Sequence, residues 1–410
     1  MDALYRFMRL QNVKNLNKHA VLDLIRFTPG GISRVELAKE IGLTRAAVTS
    51  IVNDLMESNI IREAERRTST SGRPPIILEI NPDAGYVAGV DMGATHLEIM
   101  IANFGAQVVV EAETPFDISA SPAICLDQAN ALLEELLSQA NLSLPSLSAI
   151  GIGVPGPIAT EAGMVIAPPI MPGWDSFPIR DSLEQRWACP VTLNNDAELG
   201  ALGEWAYGAA RNENNVAYIK VGTGVGAGLL INGHIYSGAS GAAGEIGHIT
   251  IDENGPLCKC GNYGCLEASA SGIAIAISAQ QAVKKGKRTE LANIKPIEKI
   301  TAEDVANAAR RGDLIAQQII TNAGSHIGIA IASLINLLNP DMVVIGGGVA
   351  QIGDLLIEPM RDVVKARSLR ATSQIVKINT ALLERRSISM GAVVQALTTV
   401  LYQIADKKTR

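Results

Sequence analysis

The spacing of apolar residues predicts three short amphipathic helices near the start of the chain. The first covers His19–Phe27. The second begins at a capping box formed by Ser33 and Glu36 and ends at Gly42. The third is capped by Thr44 and carries a single apolar stripe. A helix, a glycine turn and a second amphipathic helix together predict a helix-turn-helix unit.

Two strand patterns follow, at Ile60–Ala64 and Ile76–Ile80, joined by a polar tip that contains Arg66, Arg67 and Arg73. This order is typical of a β-wing whose arginines meet phosphates or a narrow minor groove of double-stranded DNA. Small and hydrogen-bonding side chains form the outward face of the third helix and are candidate DNA contacts: Thr44, Arg45, Ala46, Thr49, Ser50 and Asn53. The alternative is a small helical protein-interaction module with a charged loop. The order of helix, cap, turn and wing favours DNA binding.

Beyond residue 80 the pattern changes to glycine-rich strands and turns. Residues 85–113 and 215–237 both read as strand, glycine turn, strand, tight turn, strand. This weak internal repeat predicts two similar α/β lobes that face each other across a cleft. The glycine turns expose backbone N–H groups that can cradle phosphate, or they are simply tight hairpins. The candidate phosphate-loop residues are Asp91, Gly93 and Thr95 in the first turn, and Gly222, Thr223 and Gly224 in the second.

Two polar residues, Asn195 and Asp196, follow a short apolar strand and open a helix. An aspartate accepts hydrogen bonds from hydroxyl groups, and an asparagine both donates and accepts, so the pair suits a polyol ligand. The alternative is that the pair only caps the helix. Capping and ligand binding can coexist.

One histidine and three thiols lie within 18 residues: His248, Cys258, Cys260 and Cys265. Glycines between the cysteines allow the thiols to converge. Four nitrogen and sulfur ligands, with no carboxylate among them, are typical of a closed structural zinc site. A redox cluster or a disulfide loop is the alternative. With five cysteines in the whole chain, this concentration favours zinc.

Composition indicates a multidomain cytoplasmic protein. The chain has 410 residues and a net charge of −6, and its first 80 residues carry a small basic excess that weakly indicates nucleic-acid contact. The N-terminus lacks the pattern of a signal peptide, and no apolar run approaches the roughly 20 residues of a membrane span. We therefore expect no membrane insertion.

From residue 83 onward the chain resembles the ROK family of repressors, open reading frames and sugar kinases. The motifs that carry the resemblance occur in family order: Asp91-x-Gly93-x-Thr95, Gly151–Gly156, Asn195-Asp196, Gly222–Gly226, Glu245–His248, the three clustered cysteines, Leu266-Glu267 and Asn339–Gly348. The resemblance implies a two-lobed actin-like or hexokinase fold, of the ribonuclease H-like α/β class, behind the winged helix-turn-helix. We expect a DNA-binding domain at 1–80 and lobes at 81–205 and 206–410, with the C-terminal helix returning to the first lobe.

The resemblance also implies a role for each cleft residue. The residues that it implies contact a sugar are Asn195, Asp196, Glu245, His248 and Glu267. The zinc ligands that it implies are His248, Cys258, Cys260 and Cys265. A zinc-bound His248 carries its proton on the other ring nitrogen, which can donate to a sugar hydroxyl. Replacing Cys260 with Ser is therefore expected to lower both zinc content and sugar affinity.

Whether the chain phosphorylates its sugar depends on the first glycine turn. In family kinases Asp196 is the catalytic base, and the glycine turns hold ATP and Mg²⁺. Here Ala94 and His96 depart from the kinase pattern, and a positive φ at Ala94 would let its methyl group obstruct a phosphate. No Lys or Arg charge is expected nearby. These departures favour a sugar-responsive repressor without enzyme activity, with residual sugar kinase activity as the alternative. We expect a homodimer or a dimer of dimers that a sugar or sugar phosphate releases from operator DNA.

Overall fold

The computed structural model describes residues 10–64, 75–160, 162–166, 168 and 170–407. Its N-terminal unit contains helices α1 (Leu10–Phe27), α2 (Arg34–Ile41) and α3 (Arg45–Glu57). The capping box at the start of α2 is confirmed, with the Ser33 backbone N–H donating to the Glu36 carboxylate at 2.8 Å and the Glu36 N–H donating to Ser33 Oγ at 3.3 Å. Helix α1 begins nine residues earlier than the apolar spacing predicts.

The predicted wing is an antiparallel pair. Strand β2 (Ile61–Ala64) pairs with β3 (Ile77–Ile80), and the short strand β1 (Ile32–Ser33) adds to the other edge of β3. The wing tip at 65–74, which includes the predicted DNA contact Arg73, lies outside the described residues.

Each half of the remaining chain contains one five-stranded sheet. The first has the order β10-β7-β4-β5-β6 and the second the order β13-β12-β11-β14-β15. The strands of the first sheet are β4 (Tyr86–Met92), β5 (His96–Asn103), β6 (Val108–Pro115), β7 (Leu147–Val154) and β10 (Val191–Asn195). A separate hairpin is formed by β8 (Ile158–Ala159) and β9 (Met164–Val165). The strands of the second sheet are β11 (Val216–Val221), β12 (Val225–Ile231), β13 (His234–Ile235), β14 (Met342–Gly346) and β15 (Lys377–Thr380).

Strand β12 begins earlier than the sequence predicts. The glycine run 222–228 reads as one long turn, but Val221 pairs with Val225, so that the turn is only three residues long. Gly228 lies inside the strand because a helix packs tightly against it: a Cβ at Gly228 would collide with the Ala197 carbonyl oxygen.

Helices cover both sheets. They are α4 (Pro122–Gln139), α5 (Ile179–Trp187), α6 (Asp196–Tyr207), α7 (Leu266–Ala270), α8 (Gly272–Lys284), α9 (Ala302–Arg310), α10 (Leu314–Leu338), α11 (Asp354–Arg367), α12 (Arg370–Ser373) and α13 (Ser387–Asp406). Among the described helices, Leu314–Leu338 and Glu384–Asp406 are long and apolar enough to cross a membrane by length and composition. More than half of the most apolar window of each is buried inside the fold, so packing in the core accounts for that apolarity.

Helix α13 packs against β4, β7 and α6 through close backbone contacts. A Cβ at Gly89 in β4 or at Gly203 in α6 would collide with carbonyl oxygens of α13. The other side of α13 contacts α1 of the winged helix, where Lys18 Nζ donates to the Ala405 carbonyl at 3.0 Å and the Tyr402 hydroxyl donates to Asp23 at 2.5 Å. One helix therefore contacts both the N-terminal winged-helix unit and the element that begins at Asp196.

Candidate functional site

Asn195 and Asp196 lie where β10 ends and α6 begins. The Asn195 side-chain oxygen accepts hydrogen bonds from the N–H groups of Ala197 at 2.8 Å and Glu198 at 3.3 Å, so it caps α6. Its amide nitrogen donates to the Gly156 carbonyl at 3.0 Å. The capping role that the sequence left open is therefore present. The amide keeps a second N–H for a ligand.

Asp196 is buried and forms an ion pair with Lys220 at the end of β11. Burial alone would lower the pKa of Lys220, but the negative charges of Asp196 and Asp91 outweigh that effect and raise the pKa. Lys220 is therefore an ammonium ion. The charge of Lys220 also affects His96 at the first glycine turn. The expectation that no Lys or Arg charge lies near that turn is therefore wrong, because β11 comes from the other half of the chain.

His96 fills the space above the first glycine turn. A Cβ at Gly93 would collide with the His96 ring, and His96 Nε2 lies 3.0 Å from the Asp91 carboxylate. Burial tends to lower the pKa of His96, but its hydrogen bond to Asp91 raises it overall. The other Asp91 oxygen is buried and has no hydrogen-bond partner among the described residues. The backbone at Ala94 does not have a positive φ, so its methyl group is not the obstruction. Thr95, which is exposed, completes this turn.

The second glycine turn is held by Glu267. The Glu267 carboxylate accepts a hydrogen bond from the Val225 N–H at 3.0 Å, and a Cβ at Gly224 would lie 2.5 Å from the same carboxylate. Gly222 has open space where a Cβ would be, and Thr223 is half-buried. The turn is thus fixed against a residue that the resemblance assigns to sugar binding.

His248 lies between Glu245 and the cysteines. Its Nδ1 is 3.7 Å from Cys258 Sγ, and its Nε2 is 3.8 Å from the Glu245 carboxylate. Burial raises the pKa of Glu245. This arrangement suits a ring that ligates a metal through Nδ1 and donates a hydrogen bond through Nε2.

The four predicted metal ligands converge. One ligand atom from each of His248, Cys258, Cys260 and Cys265 lies within 4.8 Å of the others, and Cys260 Sγ is 3.6 Å from Cys265 Sγ. A zinc–sulfur bond of about 2.3 Å in tetrahedral geometry places two sulfurs about 3.8 Å apart, so the donor set fits zinc. A disulfide would need about 2.05 Å, and all five cysteines are free thiols.

Local backbone geometry brings the thiols together. Gly261 and Gly264 both have positive φ, at 93° and 69°, and a Cβ at Gly264 would collide with the Asp252 carbonyl oxygen. A hydrogen bond from the Asn262 backbone lowers the pKa of Cys260 to about 7, which favours the thiolate that a metal requires.

The outward face of α3 is free of the protein core, as the sequence predicts. Thr44 Oγ1 accepts a hydrogen bond from the Ala47 N–H at 3.2 Å, which confirms the cap. The candidate DNA contacts in the described region are all exposed: Thr44, Arg45, Ala46, Thr49, Ser50 and Asn53.

Comparison with known proteins agrees with this architecture, in which a winged helix precedes two sugar-kinase-like lobes. A winged helix-turn-helix DNA-binding model matches residues 15–62, and the ROK family model matches residues 87–399. The chain belongs to the ROK family.

Relatives of this chain include both repressors and kinases. The xylose repressor of Caldicellulosiruptor bescii is 32% identical over 95% of this chain and 97% of its own length. The glucokinase of Halalkalibacterium halodurans is 38% identical over 70% of this chain and 87% of its own length. A solved ROK family transcriptional regulator, described as a homologue of the Escherichia coli Mlc protein, covers 96% of this chain and 99% of its own chain at 29% identity and a TM-score of 0.81. Of these three proteins, the two that cover nearly the whole chain are named as a repressor and a transcriptional regulator.

Proposed function

We propose that this protein is a cytoplasmic, sugar-responsive transcriptional repressor that leaves its operator when a sugar binds between its two lobes. The observation that carries the proposal is the continuous packing from the Asp196 end of α6, through α13, to α1 of a winged helix. Repressors that match almost the whole chain support it. We assign residues 1–80 to DNA binding, and 81–205 and 206–410 to the two lobes.

In this proposal the sugar contacts polar groups from both lobes. Asp196 accepts a hydroxyl hydrogen bond, and His248 donates one from Nε2 toward the space beside Glu245. The full set of proposed sugar contacts is Asn195, Asp196, Glu245, His248 and Glu267.

Zinc is proposed as a structural cofactor. Its ligands would be Nδ1 of His248 and the three thiolates of Cys258, Cys260 and Cys265. When bound, the metal supplies a fixed tetrahedral crosslink and no reaction chemistry. The ring of His248 is then oriented by that crosslink, so that metal retention and sugar affinity are linked.

The N-terminal unit is proposed to bind DNA as part of a homodimer or a dimer of dimers. Helix α3 enters the major groove, with Arg45, Ser50 and Asn53 among its exposed contacts. Two such helices bind half-sites about one helical turn apart or at a multiple of that spacing. A rotation that changes the spacing lowers the affinity for the operator.

The coupling between cleft and DNA runs through α13. Asp196 is the first residue of α6, and α6 packs along α13. Arg26 of α1 donates to Thr398 Oγ1 at 2.6 Å and to the Val394 carbonyl at 2.7 Å, so α1 is fixed to α13. A change in lobe closure at Asp196 therefore has a rigid path to the winged helix.

A sugar kinase that also binds DNA is the alternative. A kinase would use Asp196 as the base and the glycine turns for ATP and Mg²⁺. Here Asp196 is held by Lys220, and the His96 ring covers Gly93. Both observations favour a sensor. Sustained ADP release with a hexose and ATP–Mg²⁺ would support the kinase instead.

A ligand screen followed by band shifts tests the proposal. The zinc-loaded full chain is screened by thermal shift against neutral sugars and sugar phosphates, because a ligand that binds the folded form raises the unfolding temperature. The hit is then added to complexes with DNA selected from a random pool. We expect release of DNA from the wild type and from the exposed control Asp127→Asn, but not from Asp196→Asn. DNA binding that no sugar alters would refute the proposal.

A further inference from the structure

A half-buried cation, Lys220, lies among carboxylates at the start of α6 and the first glycine turn. Lys220 is the penultimate residue of β11, a strand that is otherwise apolar. Its side chain is 17% exposed and pairs with Asp196, whose side chain is 9% exposed. The family motifs named above include Asp196 and the glycines after β11, but not this lysine.

The strand explains why Lys220 points at Asp196. Residues 218 and 220 lie on the same face of β11, and Tyr218 on that face packs on Gly200 of α6. Helix α6 therefore covers this face, and Asp196 is its first residue. The partners of Lys220 on the adjacent strands are both glycines, Gly226 and Gly346, so no neighbouring side chain competes for the space.

Charge in the cleft is dominated by acids. The negative charge of Asp91 raises the pKa of Lys220. Asp91 is hydrogen-bonded to His96, and its other oxygen is buried without a partner among the described residues. The negative charges of Asp196 and Glu267 both raise the pKa of Glu245. Among the described residues, these four carboxylates thus lie near one lysine, Lys220, and two histidines, His96 and His248. A phosphate or carboxylate on the ligand would enter a site that is already negative, and the one ammonium there is already paired.

We propose that Lys220 is the specificity-determining residue that restricts this cleft to an uncharged sugar, bound without nucleotide or divalent metal. The ammonium holds one oxygen of Asp196 and leaves the other for a sugar hydroxyl. It also supplies, between Asp196 and Asp91, the positive charge that Mg²⁺ would supply in a kinase. The inference rests on the proposed function, because it assigns the class of sugar that the same cleft takes.

A calorimetric titration of the zinc-loaded full chain tests the inference. The neutral sugar found by the thermal-shift screen is compared with its phosphate ester and its uronic acid, each with and without ATP–Mg²⁺. We expect both anionic forms to bind at least about tenfold more weakly than the neutral sugar, because an unpaired charge in a buried site is costly. We expect no change in sugar affinity when ATP–Mg²⁺ is added.

Two variants separate the roles that Lys220 can have. Lys220→Met should weaken the binding of the neutral sugar about tenfold, because Asp196 loses the partner that orients it. The same variant should bind Mn²⁺ at Asp196, and adding Asp196→Asn should remove that binding. Lys220→Arg should retain the preference for the neutral sugar. Lys377→Met is the matched control, because Lys377, at the start of β15, is 60% exposed and pairs with Glu213.

The outcomes distinguish this inference from the proposed function. If the wild type binds the phosphate ester more tightly than the neutral sugar, the role assigned to Lys220 is wrong, but the protein can still respond to a sugar. The role is also wrong if Lys220→Met loses binding of the phosphate ester and keeps normal binding of the neutral sugar. The wild-type comparison decides the question even if Lys220→Met fails to fold. Absence of binding by every form of sugar would overturn the proposed function and this inference together.

Discussion

Glu204 is the residue that most directly connects α6 to the segment before α13. Its side chain is fully buried and accepts four hydrogen bonds. One carboxylate oxygen accepts from the backbone N–H of Leu383 at 2.9 Å and from Ser387 Oγ at 2.7 Å. The other accepts from the backbone N–H of Ala209 at 2.7 Å and of Leu382 at 3.0 Å. Replacing Glu204 with Gln keeps the shape and converts one acceptor into a donor.

The cost of Glu204→Gln follows from the donors that lose their acceptor. If the NH₂ group is turned toward Ala209 and Leu382, two backbone N–H donors lose their acceptor. If it is turned the other way, only the Leu383 N–H does, because Ser387 Oγ can donate to the Glu384 carbonyl at 3.0 Å. A buried donor left without its partner costs about 1–3 kcal/mol. The variant takes the orientation that leaves one donor unpaired, so we expect Glu204→Gln to lower the free energy of unfolding by about 1–3 kcal/mol.

Urea unfolding at fixed zinc concentration measures this effect. The control is Glu135→Gln on α4, because Glu135 is exposed and an exposed substitution changes stability by only about 0.5 kcal/mol or less. A Glu204→Gln protein as stable as the control would refute the view that this carboxylate fixes α6 to α13. A loss of stability without any loss of sugar-dependent DNA release would limit its role to folding.

Three further predictions concern the metal, the pH dependence and the DNA interface. Cys260→Ser should lose zinc in atomic absorption and should bind the sugar more weakly; a zinc-free variant with normal sugar affinity would break the link through His248. Burial raises the pKa of Glu98 to about 7 from 4.5, so the folded state holds a proton that the unfolded state releases, and stability should fall by on the order of 2–3 kcal/mol as the pH rises from about 4.5 to 7. Glu98→Gln should remove that fall in urea unfolding at pH 5 and pH 8, and an unchanged pH profile would contradict the assignment. Arg45→Ala should weaken operator binding and reduce its salt dependence by about one counterion if Arg45 meets a phosphate, whereas an unchanged salt slope would place that contact elsewhere.

Local signals in the sequence predicted the elements and the metal cluster well. The capping box at Ser33 and Glu36 and the cap at Thr44 are both present, because each cap depends on residues three apart. The converging thiols at Cys258, Cys260 and Cys265 were also visible, since short glycine turns connect them.

Contacts between distant parts of the chain could not be predicted from the sequence. The ion pair of Asp196 and Lys220 joins the start of α6 to β11 of the second sheet, and a single lysine in an apolar strand gives no hint of its partner. The obstruction of the first glycine turn was assigned to Ala94, whereas the ring of His96 occupies that space. The folding of a side chain back over its own turn depends on Asp91, which the spacing alone does not reveal.

In the proposed function, sugar in the cleft controls DNA binding through the packing of α6, α13 and α1. The most direct measurement is the dissociation constant of the zinc-loaded full chain for selected operator DNA, by fluorescence anisotropy at fixed salt, with and without saturating neutral sugar. We expect the sugar to weaken operator binding at least about tenfold, a coupling free energy of about 1.4 kcal/mol. Asp196→Asn should abolish this difference, while the control Asp127→Asn should retain it. Equal operator affinity of the wild type with and without a sugar that demonstrably binds would contradict control of DNA binding by the sugar.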